Sequence, residues 1–292
     1  MMTFHEIKKI LTEGYLKYLP ANRICFDRYY TPGKNVRESY DLLIPRKAKG
    51  DMGLVLCVHG GGWVEGKKDE YTKSLSKVST EHGLACACMN YRYASIEVDF
   101  AAILDDISLA LSEIKRQAAK HGVNINKVLL TGISAGAHLS LLYAYTRKRT
   151  APVAPVCVVE LCGPTDLTDP FYFAPDNSVN RAVGVGYFRD ILSKGSGFNI
   201  DLNDIMSAQP ALAKGSPINY IDNHTVPTIF GHGEQDEIVP YQNALDLDRK
   251  LTEYGIEHTF VSFPNSGHGC EDKPSLSKIM KLFFEYADKY LK

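Results

Sequence analysis

Long apolar runs are missing from this sequence. No stretch approaches the roughly 20 consecutive apolar residues of a membrane-spanning helix, although 45% of the 292 residues are hydrophobic. An excess of one charge is missing too: 33 Lys and Arg stand against 34 Asp and Glu, for a net charge of −1. With no basic surplus to neutralise phosphates, neither nucleic acid nor a membrane is an expected partner. The short KKD and RKR clusters read as solvated surface. Cysteine pairs at CxxC spacing are absent, and the cysteine count is odd, at seven. Cys57, Cys86, Cys88, Cys157 and Cys162 lie in or beside apolar runs, so buried free thiols in a reducing, cytoplasmic setting are expected. No zinc spacing occurs, and GGGW lacks the Lys-Ser/Thr of a phosphate loop, so neither metal nor cofactor is expected. The opening MMTFHEIKKILTEGYLKYL has no apolar h-region and does not read as a signal peptide. Repeats and low-complexity tracts are also lacking.

What is present is a steady alternation of strand-like and helix-like segments. A short helix is expected over residues 3–18. CFDRYYTP and ESYDLLIP alternate apolar and polar residues around PGKN, the pattern of a hairpin. LVLCVHG (54–60) reads as a strand buried on both faces, followed by a polar helix at about 69–82 and the strand ACACMNYRY (85–93). Phe100, Ile103, Leu104, Ile107, Leu111 and Ile114 fall on one face of a helix over 99–121, with Asp99 to cap its start and Gly122 to close its end. KVLLTGIS (127–134) runs straight into AGAHLSLLYAYTRK. VCVVELCG (156–163), PTIFGHGE (227–234) and HTFVSFP (258–264) are further strands, with helices at about 240–254 and 275–291. Strands alternating with helices predict an α/β fold: one domain over 1–292, a mostly parallel sheet with helices on both faces, and the hairpin antiparallel at one edge. Residues 164–226 break the rhythm after the sixth strand and read as a cap-like insertion, aromatic at Phe171, Tyr172, Phe173, Tyr187 and Phe188.

The chemistry begins at TGISAG. Gly132-Ile133-Ser134-Ala135-Gly136 fits G-x-S-x-G, a weak pattern alone. A strand directly before and a helix directly after make it a nucleophile elbow rather than an ordinary Gly-Ser turn. A serine hydroxyl needs a base, and the base an orienting acid; on this architecture the chain order is Ser, acid, His. His138 lies one helical turn past Ser134, His224 in the insertion, His258 at a strand start, and His232 at a strand end where packing is expected. His268, in the glycine-flanked loop PNSGHG after the last strand, is the favoured base, since active sites of open α/β sheets gather at the carboxyl ends of strands. Asp236 in GEQDEIVP is the favoured acid, over Asp166 and Glu234. A serine that attacks a carbonyl needs preorganised N–H donors for the oxyanion. Gly61, Gly62 and Ala135 are the candidates, with His59 holding the loop in shape and Trp63 either lining the pocket or packing in the core.

Together HGGGW, GISAG, GEQDEIVP and SGHG resemble the α/β-hydrolase superfamily of serine esterases, the group of acetyl esterases, hormone-sensitive-lipase-like enzymes and carbohydrate-ester esterases, from about residue 25 to the end. The resemblance implies a Ser134–Asp236–His268 triad, an oxyanion hole of Gly61, Gly62 and Ala135, and hydrolysis of a small-molecule ester through an acyl-enzyme. GEQDEIVP stands where hormone-sensitive-lipase relatives carry a DPL-like segment, and NYRYASIEV where they tend to carry a proline. Both features are closer to carbohydrate-ester esterases and arylformamidase-like hydrolases. An amide hydrolase of the arylformamidase or peptidase kind is the nearest alternative. A non-catalytic binding protein on the same scaffold is the alternative of another class, against which the complete Ser, Asp and His set argues. The insertion has aromatic rings and few aliphatic residues, and Trp63 of the glycine loop joins Phe171 and Tyr172 as the pocket candidates. Short-acyl esters, of sugar or aryl alcohols, are therefore expected. Oligomeric state is not legible.

Overall fold

The structure, a computed structural model, describes residues 22–174, 186–201 and 203–292. The helix expected over 3–18 lies outside these residues, as do the side chains of Tyr187 and Phe188. Eight strands form one sheet: β1 (Asn22–Tyr29), β2 (Ser39–Pro45), β3 (Gly50–Val58), β4 (Ala85–Met89), β5 (Val123–Ile133), β6 (Ala154–Leu161), β7 (Thr228–Gly233) and β8 (His258–Phe263). Their order is β1-β2-β4-β3-β5-β6-β7-β8. β1 and β2 form the expected edge hairpin, and β2 meets β4 antiparallel. Every other neighbouring pair is parallel.

Strand β3 shows why a parallel sheet reads as an unbroken apolar run. Leu54, Leu56 and Val58 enter one core with Ile103 and Ile107 of α2 (Phe100–Ala119) and Leu139 of α3 (Ala135–Arg147). Val55 and Cys57 enter the other core, with Leu75 of α1 (Asp69–His82) and with Ile279 and Phe283 of the C-terminal helix Lys273–Leu291. Successive side chains point to opposite faces, and both faces are covered. The Asp99 carboxylate accepts from the Ala102 amide at 2.9 Å and caps α2 as expected. Gly122, at φ +75°, takes the left-handed conformation just past the end of that helix.

β3 and β5 each begin four residues before their apolar runs. They pair in parallel from Gly50↔Val123 onward, and in β5 the early residues alternate buried and exposed. One face of that end meets solvent, so hydrophobicity alone does not mark it.

The segment after β6 is more regular than its composition suggests. It holds a 3₁₀ turn (Pro170–Phe173), α4 (Gly186–Ser196), α5 (Ile205–Gly215) and a second 3₁₀ turn (Pro217–Tyr220). Ile191, Leu192, Ala208 and Leu212 join the same core as Phe100. Glycines set the approach: a Cβ on Gly195 would fall 2.2 Å from the Phe100 ring, and one on Gly215 2.9 Å from it. The chain closes with α6 (Gln242–Glu253) and α7 (Lys273–Leu291). Because β3 to β8 run the same way, the loops after β3, β5, β7 and β8 gather at one edge of the sheet.

Candidate active site

Ser134 occupies the junction of β5 and α3 at φ 55° and ψ −123°. A positive φ on a side-chain-bearing residue costs on the order of 1–3 kcal/mol and persists only where neighbours enforce it. Here the Ser134 amide donates to the Leu161 carbonyl at 2.9 Å, and its carbonyl accepts from the His138 amide at 3.0 Å. The flanking glycines make the turn possible. A Cβ on Gly136 would stand 2.1 Å from the Val58 oxygen, and one on Gly132 2.5 Å from the carbonyl carbon of Gly136.

His268 arrives on the loop after β8. Its Nε2 is 2.9 Å from Ser134 Oγ and its Nδ1 2.8 Å from Asp236 Oδ2. Three residues from different loops thus form one hydrogen-bonded line. The loop is held from behind: the Gln235 amide donates to the Ser266 carbonyl at 3.0 Å, and the Cys162 thiol donates to the His268 carbonyl at 3.1 Å. Gly233 permits the approach, since a Cβ there would lie 2.2 Å from the Gly267 oxygen.

The Asp236 carboxylate is fully buried. Its Oδ1 accepts from the amides of Ile238 and Val239 at 2.8 and 2.9 Å. Burial raises its pKa, but the hydrogen bonds and charges of His232 and His268 outweigh it and hold the carboxyl well below the usual carboxylate range. The other acids are engaged elsewhere. Asp166 accepts from the amide and hydroxyl of Thr168 within its own turn, and Glu234 accepts from Ser262.

After β3 the chain turns through Gly61 (φ +108°), Gly62 (φ +54°) and Trp63 (φ +63°). A Cβ on Gly61 would fall 2.4 Å from the Glu65 oxygen. His59 is clamped beneath: Nδ1–H donates to the Gly60 carbonyl at 2.7 Å, Nε2 accepts from Arg37 at 2.9 Å, and the ring stacks on Tyr91 with centroids 4.2 Å apart. Burial pushes its pKa down to about 4, which suits a neutral ring that shapes the loop.

Gly61, Gly62, Ala135, Ser134 and His268 border one cavity of about 560 Å³. The N–H of Ala135, the first residue of α3, has no place in the helix ladder. Trp63 and Tyr172 line the cavity. Trp63 is also a core residue, 6% exposed, with its ring edge-on to Phe100. Phe171 does not line this cavity. Consecutive residues of a 3₁₀ turn point about 120° apart, and Phe171 packs edge-on to Tyr172 instead.

Lining residues that the sequence analysis did not single out include Tyr71, Ile191, Leu192, Ile238 and Val239, together with the acids Glu65 and Glu70. The pocket is therefore more aliphatic than the composition of the insertion implied. The pair Ile191-Leu192 in YFRDIL was the readable hint, an apolar pair at helical spacing from Phe188. Among the described residues the potential metal ligands that converge are Cys162, Asp236 and His268. Each ligating atom there has a protein partner in the site itself.

The comparisons with known proteins agree with this architecture. The BD-FAE family model matches residues 40–251. The chain belongs to the BD-FAE family. It is 27% identical over 229 residues to the esterase LipQ of Mycobacterium tuberculosis, covering 75% of this chain and 50% of LipQ. It is 23% identical over 241 residues to the isoprenylcysteine alpha-carbonyl methylesterase ICME of Arabidopsis thaliana, covering 81% of this chain and 55% of that protein. The chain thus spans about half the length of these curated relatives. A truncated carbohydrate esterase from gut microbiota superimposes with a TM-score of 0.72 at 21% identity, over 90% of this chain and 95% of the other. The fold is that of the α/β-hydrolase esterases.

Proposed function

We propose that this chain is a serine carboxylic-ester hydrolase that uses Ser134 as nucleophile, His268 as base and Asp236 as orienting acid. The observation that carries the reading is the line of hydrogen bonds from Ser134 Oγ through His268 to Asp236, at 2.9 and 2.8 Å. The hydroxyl donates to Nε2 and Nδ1–H donates to the carboxylate, the tautomer a base needs. On attack, Oγ bonds the ester carbon and its proton passes to Nε2. The imidazolium is stabilised by a carboxylate that its surroundings keep ionised. The oxyanion turns toward the N–H groups of Gly61, Gly62 and Ala135. Nε2 then returns the proton to the departing alcohol, leaving an acyl group on Ser134. Water, deprotonated by the same nitrogen, releases the acid.

The cavity supports the substrate class. Rings at Tyr71 and Tyr172 suit a sugar or aryl alcohol, and in this reading Trp63 joins Ile191 and Leu192 of α4 as the wall of the acyl side. Residues 164–226 act as a cap on one domain in this reading. The seven cysteines, all free and buried, fit a reducing, cytoplasmic setting. Among the described residues no helix is long and apolar enough to cross a membrane.

The test is Ser134→Ala together with a serine-directed phosphonate. The substitution should leave the fold unchanged by circular dichroism and lower kcat by roughly a thousandfold or more. The phosphonate should label Ser134 alone. An active Ser134→Ala, or labelling at another serine, overturns the proposal.

A further inference from the structure

His138 is fully buried one turn into α3, and the proposed reaction gives it no task. Its two ring nitrogens nevertheless face two different parts of the site. Nδ1 accepts from the indole N–H of Trp63 at 3.1 Å, and Nε2 faces the Gly215 carbonyl at 2.7 Å. A carbonyl can only accept, so Nε2 carries the proton and Nδ1 is free to accept the indole N–H. Burial pushes the His138 pKa down to about 4, so this tautomer is neutral near pH 7.

Trp63 lies directly after Gly61-Gly62 and lines the catalytic cavity. Gly215 ends α5 of the insertion. Phe100 completes the arrangement, with its ring 5.1 Å from Trp63 and 4.8 Å from His138. A side chain on the helix of the nucleophile therefore ties the glycine loop on one side to the insertion on the other. We propose that His138 is a positioning residue: it fixes the Trp63 indole as a rigid wall of the substrate cavity, and the Gly215 carbonyl holds the tautomer that leaves Nδ1 free to accept the indole N–H. The acyl selectivity part of this inference rests on the ester-hydrolase reading above; the positioning part does not. Packing alone leaves an indole free to slide, whereas a directional bond in a low-dielectric site sets its rotation.

Trp63 is the sole tryptophan of the chain, so its emission reports on this contact without any assay of activity. Three variants separate the two bonds. His138→Asn places an amide oxygen close to Nδ1 and keeps an acceptor for the indole. His138→Gln places its amide N–H near Nε2, keeping Gly215 and losing the indole. His138→Leu loses both. The expected result is wild-type emission in the Asn variant, and a shared change of intensity and maximum in the Gln and Leu variants. The ratio of kcat/KM for acetyl over hexanoyl esters should stay within about twofold for Asn and fall by about fivefold or more for Gln and Leu. A ratio does not depend on the fraction of folded enzyme, so general destabilisation leaves it unmoved. Emission and ratio both unchanged in His138→Leu would overturn the inference. If that variant does not fold, Asn and Gln variants that behave alike overturn it. Should the wild type hydrolyse no ester while emission follows the expected pattern, the ester-hydrolase reading fails and the positioning role stands.

Discussion

His232 and Asp236 meet at 3.2 Å, Nε2 to Oδ2, on the same carboxylate oxygen that holds His268 at 2.8 Å. The same nitrogen of His232 lies 3.0 Å from the Val239 carbonyl. The acid is thus fixed by two histidines and two backbone amides, and only one of these partners reaches the serine. Removing the acid differs from loosening it. Asp236→Asn should lower kcat by about 10⁴-fold, because the amide favours the wrong imidazole tautomer. His232→Phe should cost far less, on the order of tenfold, since Ile238 and Val239 still hold Oδ1. Asp166→Asn should stay near wild type, its carboxylate being spent on Thr168. Steady-state rates of the three variants check this order; a larger loss at Asp166 than at Asp236 places the acid on the wrong loop.

The activity should have a single acid limb. A histidine base works only when neutral, so kcat/KM should rise with pH through one ionisation. Asp236, held well below the usual carboxylate range, adds no second limb above it. A profile that is flat from acid to alkaline pH, with chemistry shown to limit the rate, would falsify a histidine base.

Stability has its own pH dependence. Burial pushes both His59 and His138 down to about 4, whereas an unfolded histidine takes its proton near 6.5. Between these values the unfolded chain binds more protons, so stability rises with pH. The contribution is whole above about pH 6.5 and is lost as pH falls toward 4, by roughly 1.4 kcal/mol per pH unit for each group. Urea unfolding at pH 7, 6, 5 and 4.5 should show this fall. The slope should be shallower by about one proton in His138→Asn; an identical slope would show that His138 titrates as it does when unfolded.

Two glycines should respond very differently to alanine. Gly136 sits in α3, where alanine is ordinarily the better helix former. A Cβ there would meet the Val58 oxygen at 2.1 Å, so the backbone of β3 would have to move. Gly136→Ala should cost about 3 kcal/mol or more, or prevent soluble expression. Gly33 has nothing within 4 Å of its Cβ position, and Gly33→Ala should change stability by less than about 0.5 kcal/mol. Thermal unfolding of the pair decides whether the elbow glycines serve close approach or mere flexibility.

Local chemistry made much of this site readable, and distant approach hid the rest. GISAG between a strand and a helix is legible because one backbone turn needs its glycines within four residues. The order of Ser134, Asp236 and His268 follows from strands that all run the same way, so each loop after a strand returns to one edge. The walls obey no such rule. Ile191 and Tyr71 face the cavity because α4 and α1 approach from 57 residues after and 63 residues before Ser134, and no local pattern records that meeting. Trp63 shows the same division: its place beside the glycines was legible, while the partner that spends its N–H, His138, sits 75 residues away.

Substrate size follows from the wall that the sequence did not announce. Ile191 of α4 is 5% exposed, and its Cδ1 would stand 3.7 Å from a Cβ on Gly62. It therefore reaches across to the loop that carries the proposed oxyanion donors. Ser134 and Ile191 line the same cavity, so an acyl chain long enough to cross it should meet this side chain. Acetyl to butyryl esters should then be preferred over dodecanoyl esters in kcat/KM. Ile191→Ala frees the volume of about three carbons. Each further methylene that becomes buried is worth about 0.8 kcal/mol, so hexanoyl should gain on acetyl by roughly 10- to 50-fold in this variant. Tyr172, which also lines the cavity, serves as the control: Tyr172→Phe keeps the ring and should leave the acyl profile unchanged. A wild-type kcat/KM that climbs steadily from acetyl to dodecanoyl would show that a long channel passes Ile191, and that α4 does not close the acyl side.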